Sequence, residues 1–333
     1  MQALAAFRDA CRPAALRLAI AVAALALAGC ASAPRLDGAS LPAIELADVP
    51  FFPQTEYQCG PAALATILAH EGLAVDADML APAVYIEELR GSLQAELLAA
   101  TRRHGLVPYR LEPEPGALFA EVSSGKPVLV LQNLGVDRLP IWHYAVVVGF
   151  DPERGDVLLR SGTERRRRER VNRFLRSWAR ADNWAFVAAP PDEPPATADA
   201  DGWIRATVDA RRVLPPQSTE AALETARSRW PAEPLVLYAS AVHAGDAGRW
   251  HEAARDYAAL LAIDPGNAAA RNNLANMLAE GQCFVAAERE ARAALAAIAP
   301  QSPLRPAILD SVETIARSTG GADAEPDYCA EFD

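Results

Sequence analysis

A chain of 333 residues, 51% hydrophobic and 23% charged, is long enough for two or three domains with real cores. Its formal net charge of −11 argues against nucleic acid as a partner. It carries no glycine-rich phosphate loop and no Cys or His cluster with zinc spacing, so no cofactor and no metal is expected.

Residues 1–29 read as a secretion signal: Arg8, Arg12 and Arg17 flank an apolar run from Leu18 to Ala28, too short for an ordinary membrane-spanning helix. The run ends in Leu27-Ala28-Gly29-Cys30, which resembles a bacterial lipobox. That resemblance implies a lipid on Cys30. With Ala31 rather than Asp next, it also implies an outer-membrane, periplasm-facing location. Residues 30–47 would then be a tether.

The stretch from Phe51 to Leu68 turns from an extended polar run into an apolar helix, with Cys59 at the junction and Pro61 in the first helical turn, where its missing N–H costs nothing. Unpaired backbone N–H groups and the positive helix end favour an anion there, so the Cys59 thiol pKa is expected to fall and make it a nucleophile. Gln54 or Gln58 would add a side-chain amide beside the Cys59 N–H as a second oxyanion donor.

Val75 to Glu88 reads as irregular. Residues 91–105 read as an amphipathic helix that Ser92 starts and Gly105 closes, with His104 in its last turn, as His70 is in the Cys59 helix. Strands follow over 106–111 and 127–132, with a short helix around 118–122 between them. The run 140–150 reads as another strand with His143 near its start, and Asp151-Pro-Glu-Arg-Gly-Asp156 as a hairpin turn. Asp151 lies roughly 26 Å along the strand from His143, too far to orient its ring, and Asp156 is across the same turn. The return strand instead brings Ser161, Thr163 or Glu164 beside it.

The motif Gln54…Gln58-Cys59-Gly60-Pro61-Ala62-Ala63-Leu64, followed by His143-Tyr144-Ala145-Val146-Val147-Val148-Gly149, resembles the bacteriocin-processing, double-glycine-type cysteine peptidases and their papain-like relatives over roughly residues 48–190. The resemblance implies a Cys nucleophile, a His base, an oxyanion glutamine and an Asp or Asn orienting the histidine. The Gln54-to-Cys59 interval is one residue shorter than in transporter-linked members, which leaves Gln58 as the alternative. Ser161, the nearest position to the family's acid, ranks first as orienting residue.

Arg165 to Arg170 reads as a solvated hairpin edge whose charges discourage sheet pairing. A grip on anionic lipid headgroups or an acidic substrate segment is the alternative. Trp178 and Trp184 read as core. Residues 190–197 form a proline-rich linker closing a 48–189 domain.

Beyond the linker, Pro231, Pro265 and Pro300 mark a helix-pair period over 198–318, followed by a tail, 319–333. Ala253, Tyr257, Leu261 and Pro265 resemble the second helix of a tetratricopeptide repeat. In that family the first helices line a concave groove, which would let Asn272, Asn273 and Asn276 bind an extended peptide; the alternative is a solvated polar face. His243 and His251 read as structural. Cys283 and Cys329 form either a disulfide or two free thiols.

The expected fold class is α+β, a papain-like domain followed by an all-α tetratricopeptide-type repeat region. The expected function is a membrane-tethered periplasmic cysteine peptidase acting on a peptide or protein substrate, its repeats recruiting a protein partner. The alternative is an inert papain-like envelope scaffold, motivated by the missing acid.

Overall fold

A computed structural model describes residues 42–54, 58–208, 213–319 and 325–332. The signal segment, Cys30 and most of the tether lie outside the described residues.

Strand β1 (Ile44–Glu45) leads into helix α1 (Cys59–His70), a helix whose residues from Gly60 to Leu68 are all buried. Helix α2 (Ala77–Val84) follows, capped by the Asp76 side chain, which accepts from the Met79 N–H at 2.9 Å. The irregular reading of 75–88 is thereby corrected: the cap and two buried apolar positions one turn apart, Leu80 and Val84, suffice for a short helix despite Pro82. Helix α3 (Gln94–Arg103) starts two residues later than expected, so Ser92 does not cap it, while Gly105 takes the positive φ of 83° that ends it.

Then come β2 (Val107–Arg110), α4 (Pro115–Ser123), β3 (Val128–Asn133), β4 (Trp142–Asp151), β5 (Asp156–Ser161) and β6 (Glu164–Arg170). Helix α5 (Val171–Ala179) and strand β7 (Ala185–Ala189) complete the sheet; neither was expected. The sheet order is β2-β7-β3-β4-β5-β6, all antiparallel, with β1 added to the far end of β4. A side chain at Gly149 would collide with the Ile44 carbonyl, so β1 can pair there only against glycine. Strand parity sends Leu129, Leu131, Val146 and Val148 toward α1, and Val128, Val130, Ala145 and Val147 toward α4 and α5. Trp178 and Trp184 are both buried.

The proline-rich segment is not a free spacer. Glu121, fully buried on α4, accepts from the Thr197 N–H and hydroxyl, each at 2.6 Å, and from the Ala196 N–H at 3.3 Å. The helices that follow are α6 (Ala200–Val208), α7 (Pro216–Arg229), α8 (Pro234–Asp246), α9 (Trp250–Ile263), α10 (Ala268–Glu280), α11 (Phe284–Ala296) and α12 (Arg305–Thr319). Trp203 on α6, Leu223 on α7 and Val236 on α8 belong to the same hydrophobic cluster as Val130 and Phe174, so sheet and helices share one core.

A 34-residue period governs α8 to α11. Gly248 and Gln282 both take positive φ, at 74° and 66°. The next residues, Arg249 and Cys283, donate N–H to Ala244 and Leu278, and the small buried Ala253 and Ala287 follow. Cys283 and Cys329 are joined in a disulfide, which pins a short 3-10 turn (Asp327–Phe332) against α11. Among the described residues no helix is long and apolar enough to cross a membrane.

Candidate active site

Cys59 is the first residue of α1, at the wall of a cleft of about 600 Å³ whose lining includes Gln54, Ser92, Leu93, Trp142, His143 and Tyr144. The next residue must be glycine: a Cβ at Gly60 would lie 2.3 Å from the Ser92 hydroxyl. The loop before α3 therefore presses directly on the helix start. Tyr144 ties the two walls together, its hydroxyl donating to the Ser92 carbonyl at 3.2 Å. The Ser92 hydroxyl itself is buried at the cleft wall with no partner among the described residues.

His143 enters the same cleft from the start of β4. Its Nε2 lies 2.8 Å from Ser161 Oγ, on the strand that returns through the Asp151–Asp156 hairpin. Of the two ring nitrogens, Nδ1 is the one this contact leaves uncommitted. Its cross-strand neighbour Gln132 is buried and fixed by a 2.8 Å bond to the Ser177 hydroxyl on α5. Thr163 and Glu164 are exposed at the β5–β6 turn, and the Glu164 carboxylate faces Arg167. Asp151 pairs with Arg154, and Asp156 with Arg168 and Arg170. Gln54 lines the cleft, with its backbone N–H held by the Gly162 carbonyl at 3.0 Å.

The electrostatics correct one expectation. Burial raises the Cys59 thiol pKa above its ordinary value, although backbone N–H groups of Tyr144, Gly60 and Cys59 itself pull the other way. The helix-end donors are present as foreseen, but desolvation outweighs them. Burial also pushes the His143 imidazole down to about 4, with Arg167 adding to the effect. At neutral pH the resting site therefore holds a thiol and a neutral imidazole.

Residues 46–186 match the model of the Peptidase_C39 like family. Two solved structures are similar to part of the chain. One, a C39-like peptidase from Bacillus anthracis, is 17% identical, covers 45% of this chain and 98% of its own, and has a TM-score of 0.38. The other, the peptidase domain of Streptococcus ComA, described as a bifunctional ABC transporter in quorum sensing, is 22% identical, covers 43% of this chain and 98% of its own, and has a TM-score of 0.35. No curated protein matches. The fold class expected from the sequence holds: a papain-like α+β domain with an antiparallel sheet against the Cys59 helix, then a region of helices.

Sequence reasoning missed the Tyr144–Ser92 bridge, the apolar cleft walls Leu89 and Trp142, and Gln132 behind the histidine. Only the Gly60-Ser92 approach left a trace, as a glycine next to the cysteine. The asparagines do not form a solvated row: Asn272 is buried, and Asn273 donates to the Tyr257 and Tyr238 hydroxyls at 3.2 and 3.4 Å. Among the described residues no cluster of three or more His, Cys, Asp or Glu could hold a metal.

Proposed function

We propose that the chain is a cysteine peptidase that hydrolyses peptide bonds in the cleft between α1 and β4. The observation that carries this reading is the convergence of Cys59 and His143, 84 positions apart in sequence, on one cleft, with the imidazole held from behind through Nε2. Cys59 attacks the substrate carbonyl while Nδ1 of His143 takes the thiol proton, so the tetrahedral oxyanion forms as the imidazolium does. The Cys59 N–H and the Gln54 side chain receive that oxyanion. His143 then gives its proton to the leaving amine, and water, activated by the same imidazole, hydrolyses the thioester. Because burial disfavours both separated charges, proton transfer accompanies attack rather than preceding it. In this role Ser161 accepts the Nε2–H and fixes the tautomer without supplying negative charge.

The tether and the helices extend the proposal. A lipid on Cys30 would hold the enzyme at the outer membrane, facing the periplasm. The 34-residue helix pairs would act as tetratricopeptide-type repeats that bring a protein partner or substrate to the cleft. The Cys283–Cys329 disulfide fits an oxidising compartment.

A second reading, an inert papain-like envelope scaffold, is favoured by the neutral Ser161 and by the raised thiol. A quenched-fluorescent peptide library separates the two. Cleavage by the parent chain that Cys59→Ala abolishes supports the peptidase. If no library member is cut and an irreversible thiol acylating agent reacts with Cys59 no faster than with an ordinary cysteine, the scaffold stands.

A further inference from the structure

Among the described residues, the connection between β3 and β4 is the most exposed apolar element. Residues 134–141 extend the two strands as a narrow ribbon beyond the sheet, with Leu139 75%, Val136 61%, Ile141 61% and Trp142 54% exposed. Its backbone is largely satisfied from within. The Leu134 N–H donates to Ile141, Val136 and Leu139 exchange both of their bonds, and the Asn133 side chain accepts from the Gly135 and Ile141 N–H groups at 3.0 Å each. Pro140 has no N–H to satisfy. A segment that leaves water for lipid must meet this condition, because each unpaired backbone group there costs several kcal/mol. A peptide-binding surface has no such requirement, and it would be concave rather than a protruding ribbon.

The ribbon is flanked by positive charge. Between positions 160 and 180 the chain carries nine arginines against two glutamates, although the whole carries −11. Those on β6 are largely committed, Arg166 to Glu45 and Arg168 and Arg170 to Asp156. Those on and just after α5 are less so. Arg173 and Arg176 are exposed and stand on one helical face with Arg180, whose guanidinium donates to the Asn133 carbonyl at the ribbon's base at 2.7 Å. Arg173 meets only Glu169, at 3.4 Å, and Arg176 has no ion pair among the described residues. Arg138 sits exposed at the tip beside Asp137, and Asp182 lines the same hollow as Asp137.

We propose that this ribbon and the α5 arginine stripe form a docking face for an anionic lipid bilayer, independent of any lipid on Cys30 and of the Cys59 chemistry. Leu139, Val136 and Ile141 enter the boundary between headgroups and acyl chains, Trp142 sits at headgroup depth, and Arg138, Arg173 and Arg176 meet the headgroup phosphates. Trp142 also lines the cleft, so docking sets the cleft mouth against the membrane surface.

The test uses the full chain carrying Cys30→Ser, sedimented with vesicles of phosphatidylcholine alone or mixed with phosphatidylglycerol. The parent should partition onto the mixed vesicles in preference to the neutral ones, and brominated acyl chains should quench its tryptophan fluorescence. Leu139→Asp with Ile141→Asp should lower partitioning at least tenfold while peptide turnover in vesicle-free buffer stays at the parent level. Arg173→Gln with Arg176→Gln should lower it about fivefold per arginine on mixed vesicles only. Matching thermal melts establish that each variant is folded. Equal partitioning of parent and ribbon variant, or absence of quenching, overturns the proposal. So does a ribbon variant that sediments like the parent but no longer cuts apolar peptides, which would make the ribbon part of the substrate site instead.

Discussion

Two groups of ionisable side chains are held in opposite ways. At the cleft, Cys59 and His143 are withdrawn from water with no carboxylate paired to either among the described residues, and burial moves both toward their neutral forms. Across α7, α8 and α9, charge is instead matched by charge. Glu220 meets His243 and Arg249, Glu252 meets Arg249 and Arg227, and Arg227 reaches the buried Asp256 at 2.9 Å. The same contrast extends to the tail, where Glu331 binds His251 and Arg255 beside the disulfide. Uncompensated burial keeps a pair reactive only while both stay uncharged, whereas saturated charge builds a scaffold that has nothing left to give.

The largest expected effect tests the reactive half. Cys59→Ala or His143→Ala should each lower peptide turnover by roughly four orders of magnitude or more, and the double variant by little beyond either, since the two act as a unit. A residual rate shared equally by both variants and the parent would remove the contrast altogether. On the scaffold side, Cys283→Ser should destabilise the helices by about 2–4 kcal/mol, read as a lower denaturant midpoint, with kcat on short peptides unchanged.

Ser161 sharpens the comparison. Ser161→Ala should reduce kcat on the order of 10-fold to 100-fold through a looser imidazole, with KM preserved. Ser161→Asp places a carboxylate where the scaffold would have one, and should move the acid limb of kcat/KM upward from near pH 4 by about 1–3 units. The sign follows from the imidazole having to be neutral to accept the thiol proton. Protonation through its pKa on the acid side switches turnover off, and a neighbouring anion makes that happen at higher pH. Should the parent's acid limb already lie near pH 6.5, the burial that distinguishes the cleft is not felt by His143.

The smallest effect probes the one place where the charged scaffold is imperfect. Asp256 is raised to about 6 by burial, Arg227 notwithstanding, and one of its oxygens has no partner among the described residues. A carboxyl raised above its unfolded pKa favours folding in its protonated form, so stability falls as pH climbs from about 4 to 6 and stays lower above that. Asp256→Asn should therefore gain on the order of 1–2 kcal/mol at pH 7 and nothing below pH 4, measured by thermal melts across that range. A loss at both pH values would show that Arg227 needs the charge more than the core resists it.

Much of the cleft was legible because its signals are local. A cysteine before an apolar helix, a histidine opening a strand, and a Pro-Glu-Arg-Gly turn that folds Ser161 back are each contained in a few residues. What was not legible is set by partners far along the chain. Whether Cys59 titrates low or high depends on how deeply the fold buries it against donors such as the Tyr144 N–H, and no short window contains both. Strand β7 was missed because its Ala-Phe-Val-Ala-Ala sequence acquires its role only by lying between β2 and β3. Asn272 gave a polar residue on a helix, but its burial depends on the neighbouring helices. In α2 the signal was local after all: the capping Asp76 directly precedes the helix, which accommodates Pro82.

The buried Glu121 and the seat of Trp203 among the sheet's own side chains bear on how such a chain can be cut and recombined. A nick in the proline stretch would not release a free-standing papain-like domain, because the flank of β2 and α4 would lose the tryptophan that covers it. The portable unit runs from β1 through at least α8, so fusion partners would have to be exchanged beyond that helix rather than at the prolines.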